Sequence, residues 1–148
     1  MAVNRETTQQ ERLEAGRAQF AFRKVSELVR ETENDKDKQK KYKSYTRRLG
    51  MLIKANGLAA AVAFAFSKAS GGSPWETLYQ HIEEWLQECN IMPRPAPGGQ
   101  GGCGQTTLAE FLVGLPIPLY RLAENEVLAF LNWLKRFTEA MIEGEAND

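Results

Sequence analysis

The densest chemistry in this 148-residue chain is cationic. Lys36, Lys38, Lys40, Lys41, Lys43, Arg47 and Arg48 fall within thirteen residues against one acid, Asp37, with Tyr42 and Tyr45 interleaved. Such a run suits a polyanion or an acidic protein surface. Drawn as a helix, Lys36, Lys40, Lys43, Arg47 and Lys54 recur at three, four or seven residues, so they form one stripe, with Lys41 and Arg48 beside it. A phosphate backbone favours a row of cations on a rigid element, because each neutralised phosphate releases counterions. Without base-reading geometry, such a row holds backbone regardless of sequence. The alternative is a solvated helix face balanced by acids, for which only Asp37 is at hand. Tyr42 and Tyr45 are able to stack on bases, but they share the spacing of an apolar stripe, which predicts burial.

Other chemistry is thinner. Gly99-Gln100-Gly101-Gly102-Cys103-Gly104-Gln105-Thr106 imitates a phosphate-binding loop, but Gln105 stands where a lysine must neutralise phosphate, and the preceding segment is proline-rich rather than a strand. The pairs Glu83–Glu84 and Glu124–Glu126 are one and two residues apart on predicted helices, so neither pair converges on one proton. His81 is the only histidine and reads as a boundary residue; no Ser or Thr has a visible base, and no metal or cofactor is expected. Cys89 and Cys103 lack a CxxC partner motif. A disulfide between them is geometrically open, and a reduced, cytoplasmic chain is the simpler reading.

The elements that would position these residues are helices throughout; no stretch sustains a two-residue alternation. A first helix is predicted from about Thr8 to Glu31, with Leu13, Phe20, Ala21, Val25, Leu28 and Val29 on its apolar face. A second, Lys36 to about Asn56, sets Tyr42, Tyr45, Leu49 and Leu52 toward a core, and Gly50 is a candidate kink. Asn56-Gly57 signals a turn, and Leu58–Lys68, apolar almost all round, reads as a buried helix. Ser73-Pro74-Trp75-Glu76 and Thr107-Leu108-Ala109-Glu110 are capping boxes. The first opens a helix repeating Trp75, Leu78, Ile82, Trp85 and Cys89; the second opens a short one ending near Gly114. A Pro/Gly-rich loop over about residues 90–105 separates them and is predicted to be mobile. The last helix, about Leu119 to Glu143, carries Tyr120, Ala123, Val127, Phe130, Leu134, Phe137 and Met141. The expected fold is all-α, a single-domain bundle of about five to six helices, large enough to bury about 70% of its unfolded surface.

The zero net charge divides unevenly: residues 1–54 carry 14 Lys/Arg against 8 Asp/Glu, and residues 55–148 carry 5 against 11. The polar, charged start gives no secretory signal, and the most apolar run, Leu58–Phe66, is far short of the roughly 20 residues a membrane span needs.

Two blocks carry a family likeness. Tyr42-Lys-Ser-Tyr-Thr-Arg-Arg-Leu-Gly-Met-Leu-Ile-Lys-Ala-Asn-Gly-Leu58, continuing to Ala63-Phe64-Ala65-Phe66-Ser67-Lys68, resembles the small all-helical subunit of type III-B CRISPR effector complexes, the Cmr (RAMP module) family. Tyr120-Arg121, Glu126-Val127-Leu128-Ala129 and Trp133-Leu134-Lys135-Arg136-Phe137 resemble its C-terminal helix. Gly50 departs from that pattern, where family members often carry proline. The resemblance implies a non-catalytic subunit of an antiviral ribonucleoprotein. Copies of it would stack along the complex, contact the backbone subunit, and line the channel where target RNA pairs with crRNA. Carried over by position, the basic face around Lys41, Lys43, Arg47, Arg48 and Lys54 is the expected RNA contact, which the stripe spacing extends to Lys36 and Lys40, with Arg121, Lys135 and Arg136 as further candidates that have Glu124, Glu126 or Glu139 as alternative ion-pair partners. The charge division also fits head-to-tail stacking of copies. The competing reading is a helical protein-interaction module that docks acidic partner subunits without touching nucleic acid.

Overall fold

The computed structural model describes residues 9–93 and 107–144. Six helices follow one another: α1 (Gln9–Glu31), α2 (Lys36–Asn56), α3 (Leu58–Lys68), α4 (Pro74–Glu88), α5 (Leu108–Val113) and α6 (Ile117–Met141). No strand occurs among the described residues, and the all-α expectation holds. The segment from residue 94 to 106 lies outside the described residues. With it go the glycine loop from Gly99 to Thr106, Cys103, and most of the loop expected over 90–105. Its first residues are not loose: Asn90 takes φ 63°, the amides of Ile91 and Met92 both donate to the Leu86 carbonyl (2.9 and 3.0 Å), and Met92 is buried. Asn tolerates this left-handed turn at a helix C-terminus.

Each helix begins and ends where local chemistry dictates. Asp35 caps α2 by accepting from the Lys38 amide at 3.2 Å. Ser73 Oγ accepts from the Glu76 amide at 3.3 Å, while the Glu76 carboxylate reaches back to the Gly72 amide at 2.8 Å, one residue earlier than a standard capping box. Thr107 Oγ1 does the same for the Glu110 amide at 3.2 Å. Pro116 precedes α6 and Pro118 sits in its first turn, where no amide is needed, so the helix starts at Ile117 rather than Leu119. Gly50 interrupts nothing; α2 is continuous through it.

Gly57 joins α2 to α3 without a loop. Its φ of 89° is closed to most side chains, and a Cβ there would stand 3.4 Å from Tyr120 Oη. Because Gly57 offers no side chain, α3 is capped from outside: the Glu124 carboxylate accepts from the Leu58 amide (3.1 Å) and Tyr120 Oη from the Ala59 amide (2.8 Å). Only one side of α3 is buried, through Leu58, Ala61, Val62 and Ala65; Ala60, Ala63 and Phe66 face outward. This corrects the expectation of a fully buried helix. Alanine presents so little apolar area that exposing it costs little.

In the bundle, α6 packs along both α1 and α2, α2 also meets α3 and α4, and α3 covers α5. The interior is filled by Tyr42, Leu49, Leu58, Leu78, Ile82, Leu86, Leu108, Leu112, Phe130 and Leu134. Phe20 packs against both Trp85 (5.2 Å between centroids) and Phe130 (5.8 Å), which stack on one another at 5.6 Å. Inside this apolar mass sits an ion pair: Arg17 Nε and Nη2 donate to the two Glu126 oxygens at 2.7 and 3.0 Å, and Trp85 Nε1 donates to Glu126 Oε1 at 2.9 Å. Arg17 also pairs with Glu14, which accepts from Trp133 Nε1 at 2.9 Å. The Glu126 hydrogen bonds hold the Arg17 guanidinium above its ordinary pKa.

Two outcomes follow from these buried polar groups. Arg17→Met should lower stability by about 3 kcal/mol, read from denaturant midpoints, because it leaves a charged carboxylate buried. Adding Glu126→Gln should recover part of that loss by removing the charge while leaving an oxygen for Trp85. The second outcome concerns His81, whose Nδ1 shares a 2.7 Å hydrogen bond with Tyr42 Oη. Burial, helped by nearby Lys24, pushes its pKa down to about 3, so the folded protein refuses a proton that the unfolded chain accepts below about pH 6.5. The associated stability is complete above that pH and is lost on acidification, with a limiting slope of about 1.4 kcal/mol per pH unit. Between about pH 7 and about pH 5, the denaturation midpoint should therefore fall more steeply for the wild type than for His81→Gln.

Candidate nucleic-acid interface

The cationic stripe lies along the side of α2 that meets α6, and the two halves of that contact differ. Toward the start of α2, Lys43 is buried, with 8% exposure, and its Nζ donates to the carbonyls of Ile142 and Gly144, each at 3.2 Å. It thereby closes the C-terminal end of α6, where backbone oxygens lack helical partners. Lys40 is half-buried and lies alongside the same segment; a Cβ on Gly144 would approach its Cε to 3.0 Å. The stripe is therefore not a continuous solvated row. Its first half is taken up by the end of α6, leaving only Lys36 fully exposed there.

The second half opens. Between α2 and α6 runs a groove of about 480 Å³ lined by Thr46, Arg47, Gly50, Met51 and Lys54 from one helix and Leu128, Ala129, Leu131, Asn132 and Lys135 from the other. Three of the expected residues, Arg47, Lys54 and Lys135, converge here from separate parts of the sequence, and among the described residues no carboxylate lines the groove. Gly50 contributes by omission: nothing stands within 4 Å of the place its Cβ would occupy. Asn132 was not among the expected contacts, yet it lies three residues before Lys135 and so on the same helical face; that spacing is the signal that identifies it.

The other candidates are dispersed. Lys41 is bound to Asp37 at 3.0 Å, one helical turn away, and that hydrogen bond raises its pKa. Arg48 is exposed and stands 5.7 Å from the centre of the Phe64 ring; Arg136 is exposed and stands 5.5 Å from that of Trp133. Arg121 is exposed on the first turns of α6. Its alternative carboxylate partners are committed elsewhere, Glu124 to the start of α3 and Glu126 to Arg17. Of the two interleaved tyrosines, Tyr42 is fully buried, and Tyr45 stacks on Trp75 with centroids 4.3 Å apart and planes at 9°.

His81 is buried against Tyr42 rather than at a boundary, because the position before Ile82 turns inward toward α2. Burial also raises the Tyr42 hydroxyl above its ordinary pKa, so both partners stay neutral. The Cys89 thiol is half-buried, faces the Leu86 carbonyl at 3.7 Å, and is pushed up to about 11 by burial. Burial raises the Glu83 carboxyl as well, although its bond to the Leu108 backbone works the other way. Among the described residues, no three His, Cys, Asp or Glu side chains are grouped to hold a metal ion, and no helix is long and apolar enough to cross a membrane.

Comparison with known proteins gives this geometry a setting. The family model described as CRISPR-associated protein (Cas_Cmr5) matches residues 13–141. The fold is similar to the crystal structure of a CRISPR-associated Cmr5 family protein from Thermus thermophilus, with a TM-score of 0.63 and 25% sequence identity over 88% of this chain and 97% of that one. The matched segment contains α2 and α6, and with them both walls of the cationic groove, and on this footing the chain belongs to the Cmr5 family, the small subunits of CRISPR type III-B Cmr complexes.

Proposed function

We propose that this Cmr5 family chain is a non-catalytic RNA-holding subunit that takes the phosphate backbone of the target RNA–crRNA duplex into the α2–α6 groove. The observation that carries this reading is the convergence of Arg47, Lys54 and Lys135 on one carboxylate-free groove. Three cations on two helices pinned to one another offer fixed positive charge, and they grip phosphate without reading bases. The neutral, buried His81 and the weakly acidic Cys89 thiol fit a holding role better than a chemical one. In this reading the subunit works in the cytoplasm, in antiviral defence.

The uneven charge supports head-to-tail stacking of copies along the complex, an acidic face of one meeting a basic face of the next. A second reading, docking to a protein subunit without RNA contact, is favoured by a different observation. Val113, Ile117, Leu119 and Leu122 expose about half or more of their surface at the α5–α6 corner, from 48% to 73%. Exposed apolar side chains so close together mark contact surfaces.

Charge reversal separates the two readings. Lys54→Glu with Lys135→Glu should weaken binding of a guide–target RNA duplex and of the single strand alone, measured by fluorescence anisotropy, and flatten the single strand's dependence on log salt by about 0.7 for each phosphate that is no longer neutralised. The thermal midpoint should stay close to that of the wild type, since both side chains are exposed. Lys43→Met should do the opposite, lowering the thermal midpoint while leaving the salt dependence of RNA binding unchanged. Unaltered RNA affinity in the groove variant would remove the groove as the RNA contact, and RNA affinity insensitive to salt would leave only the docking reading.

A further inference from the structure

The groove accounts for Arg47 and Lys54 but not for Arg48, which leaves α2 one residue on and about 100° around its axis. There it meets α3. Arg48 Cζ lies 5.7 Å from the Phe64 ring centre, and Lys68 Nζ, one helical turn beyond Phe64, lies 5.8 Å from it. Both cations are exposed, Phe64 is partly so, and neither cation takes part in an ion pair among the described residues. The ring itself is set firmly. Its partner Trp75 meets it edge-on (5.4 Å, 83°) and is clamped from another side by the Tyr45 stack. A fixed aromatic ring whose centre is within 5.8 Å of two cations that have no counter-charge among the described residues is an arrangement that intramolecular packing alone does not require.

We propose that Phe64, Arg48 and Lys68 form a second RNA contact, in which an unpaired nucleobase stacks on Phe64 while Arg48 and Lys68 swing from the ring to the phosphates on either side. The proposal rests on the RNA-holding reading above and extends it from backbone grip to base stacking. The chemistry of the site favours single-stranded RNA over an acidic protein segment. A carboxylate-rich partner would use the two cations, but it would gain nothing from the flat ring between them. Base stacking is tolerant of sequence, because every base offers a π face. The site would therefore accept whichever unpaired nucleotide reaches it.

The test compares two probes of equal phosphate number on the intact chain: a short oligoadenylate and the matching abasic ribose-phosphate oligomer. Phe64→Leu should reduce affinity for oligoadenylate about tenfold and leave the abasic probe unaffected, whereas Phe64→Tyr should restore oligoadenylate binding. Arg48→Glu with Lys68→Glu should weaken both probes. The groove variant Lys54→Glu with Lys135→Glu should also weaken both, by a similar factor for each. Equal affinity of the wild type for the two probes, or a Phe64→Leu loss that is the same for both, would overturn the stacking site while leaving the groove standing. Loss of base preference in Phe64→Leu together with an unaffected groove variant would overturn the groove and keep the stacking site.

Discussion

A helix cannot finish its own ends, and this bundle depends on how it meets that constraint. Several helices are closed by side chains borrowed from another helix. Glu124 and Tyr120 of α6 cap the start of α3, Tyr79 Oη of α4 accepts from the Ala109 amide near the start of α5 (3.1 Å), Gln39 of α2 donates to the Val29 and Thr32 carbonyls at the end of α1, and Lys43 of α2 closes α6. Each such bond satisfies backbone groups that would be costly to leave bare in a partly buried setting. Each also fixes the register of one helix against the next, which apolar packing leaves adjustable. The groove inherits its shape from this: its two walls are α2 and α6, and Lys43 ties the end of one to the flank of the other.

The same constraint explains what could be read from the sequence. Helix boundaries set by local signals were legible: Ser73 and Thr107 are the side-chain caps that the two boxes predicted, and Gly57 is a positive-φ stop at the predicted turn. So was the apolar stripe of α4, of which Trp75, Leu78, Ile82 and Trp85 are buried and Cys89 half-buried. What depends on a distant partner was not legible. Lys43 has the composition and spacing of a polyanion contact, and only the placement of α6 shows that it is a cap. Glu126 looks like half of a surface carboxylate pair until α1 brings Arg17 to it. Lys135 was named from the sequence as a further candidate on the last helix, and the fold gives it two cationic neighbours that sequence spacing did not connect to it. The central position assigned to α3 failed because hydropathy counts alanine as apolar without registering how little area it covers.

The cations thus divide by what surrounds them rather than by their number. Arg17 and Lys43 are structural, Lys41 is offset by Asp37, and Arg47, Lys54 and Lys135 share a groove with no acid in its lining. Arg48 and Lys68 flank a ring. Net charge along the chain predicts none of this partition. It is set by which faces of α2 the neighbouring helices leave uncovered.

The Arg17–Glu126 pair spans 109 residues of chain. During synthesis α1 emerges before the other five helices, carrying a guanidinium whose buried partner lies ten residues into the last of them. The pairs α2–α3 and α3–α4 join neighbours in sequence and close over short loops, which favours early formation. The middle of the chain thus rests on local contacts, whereas α1 is held by a helix far along the sequence.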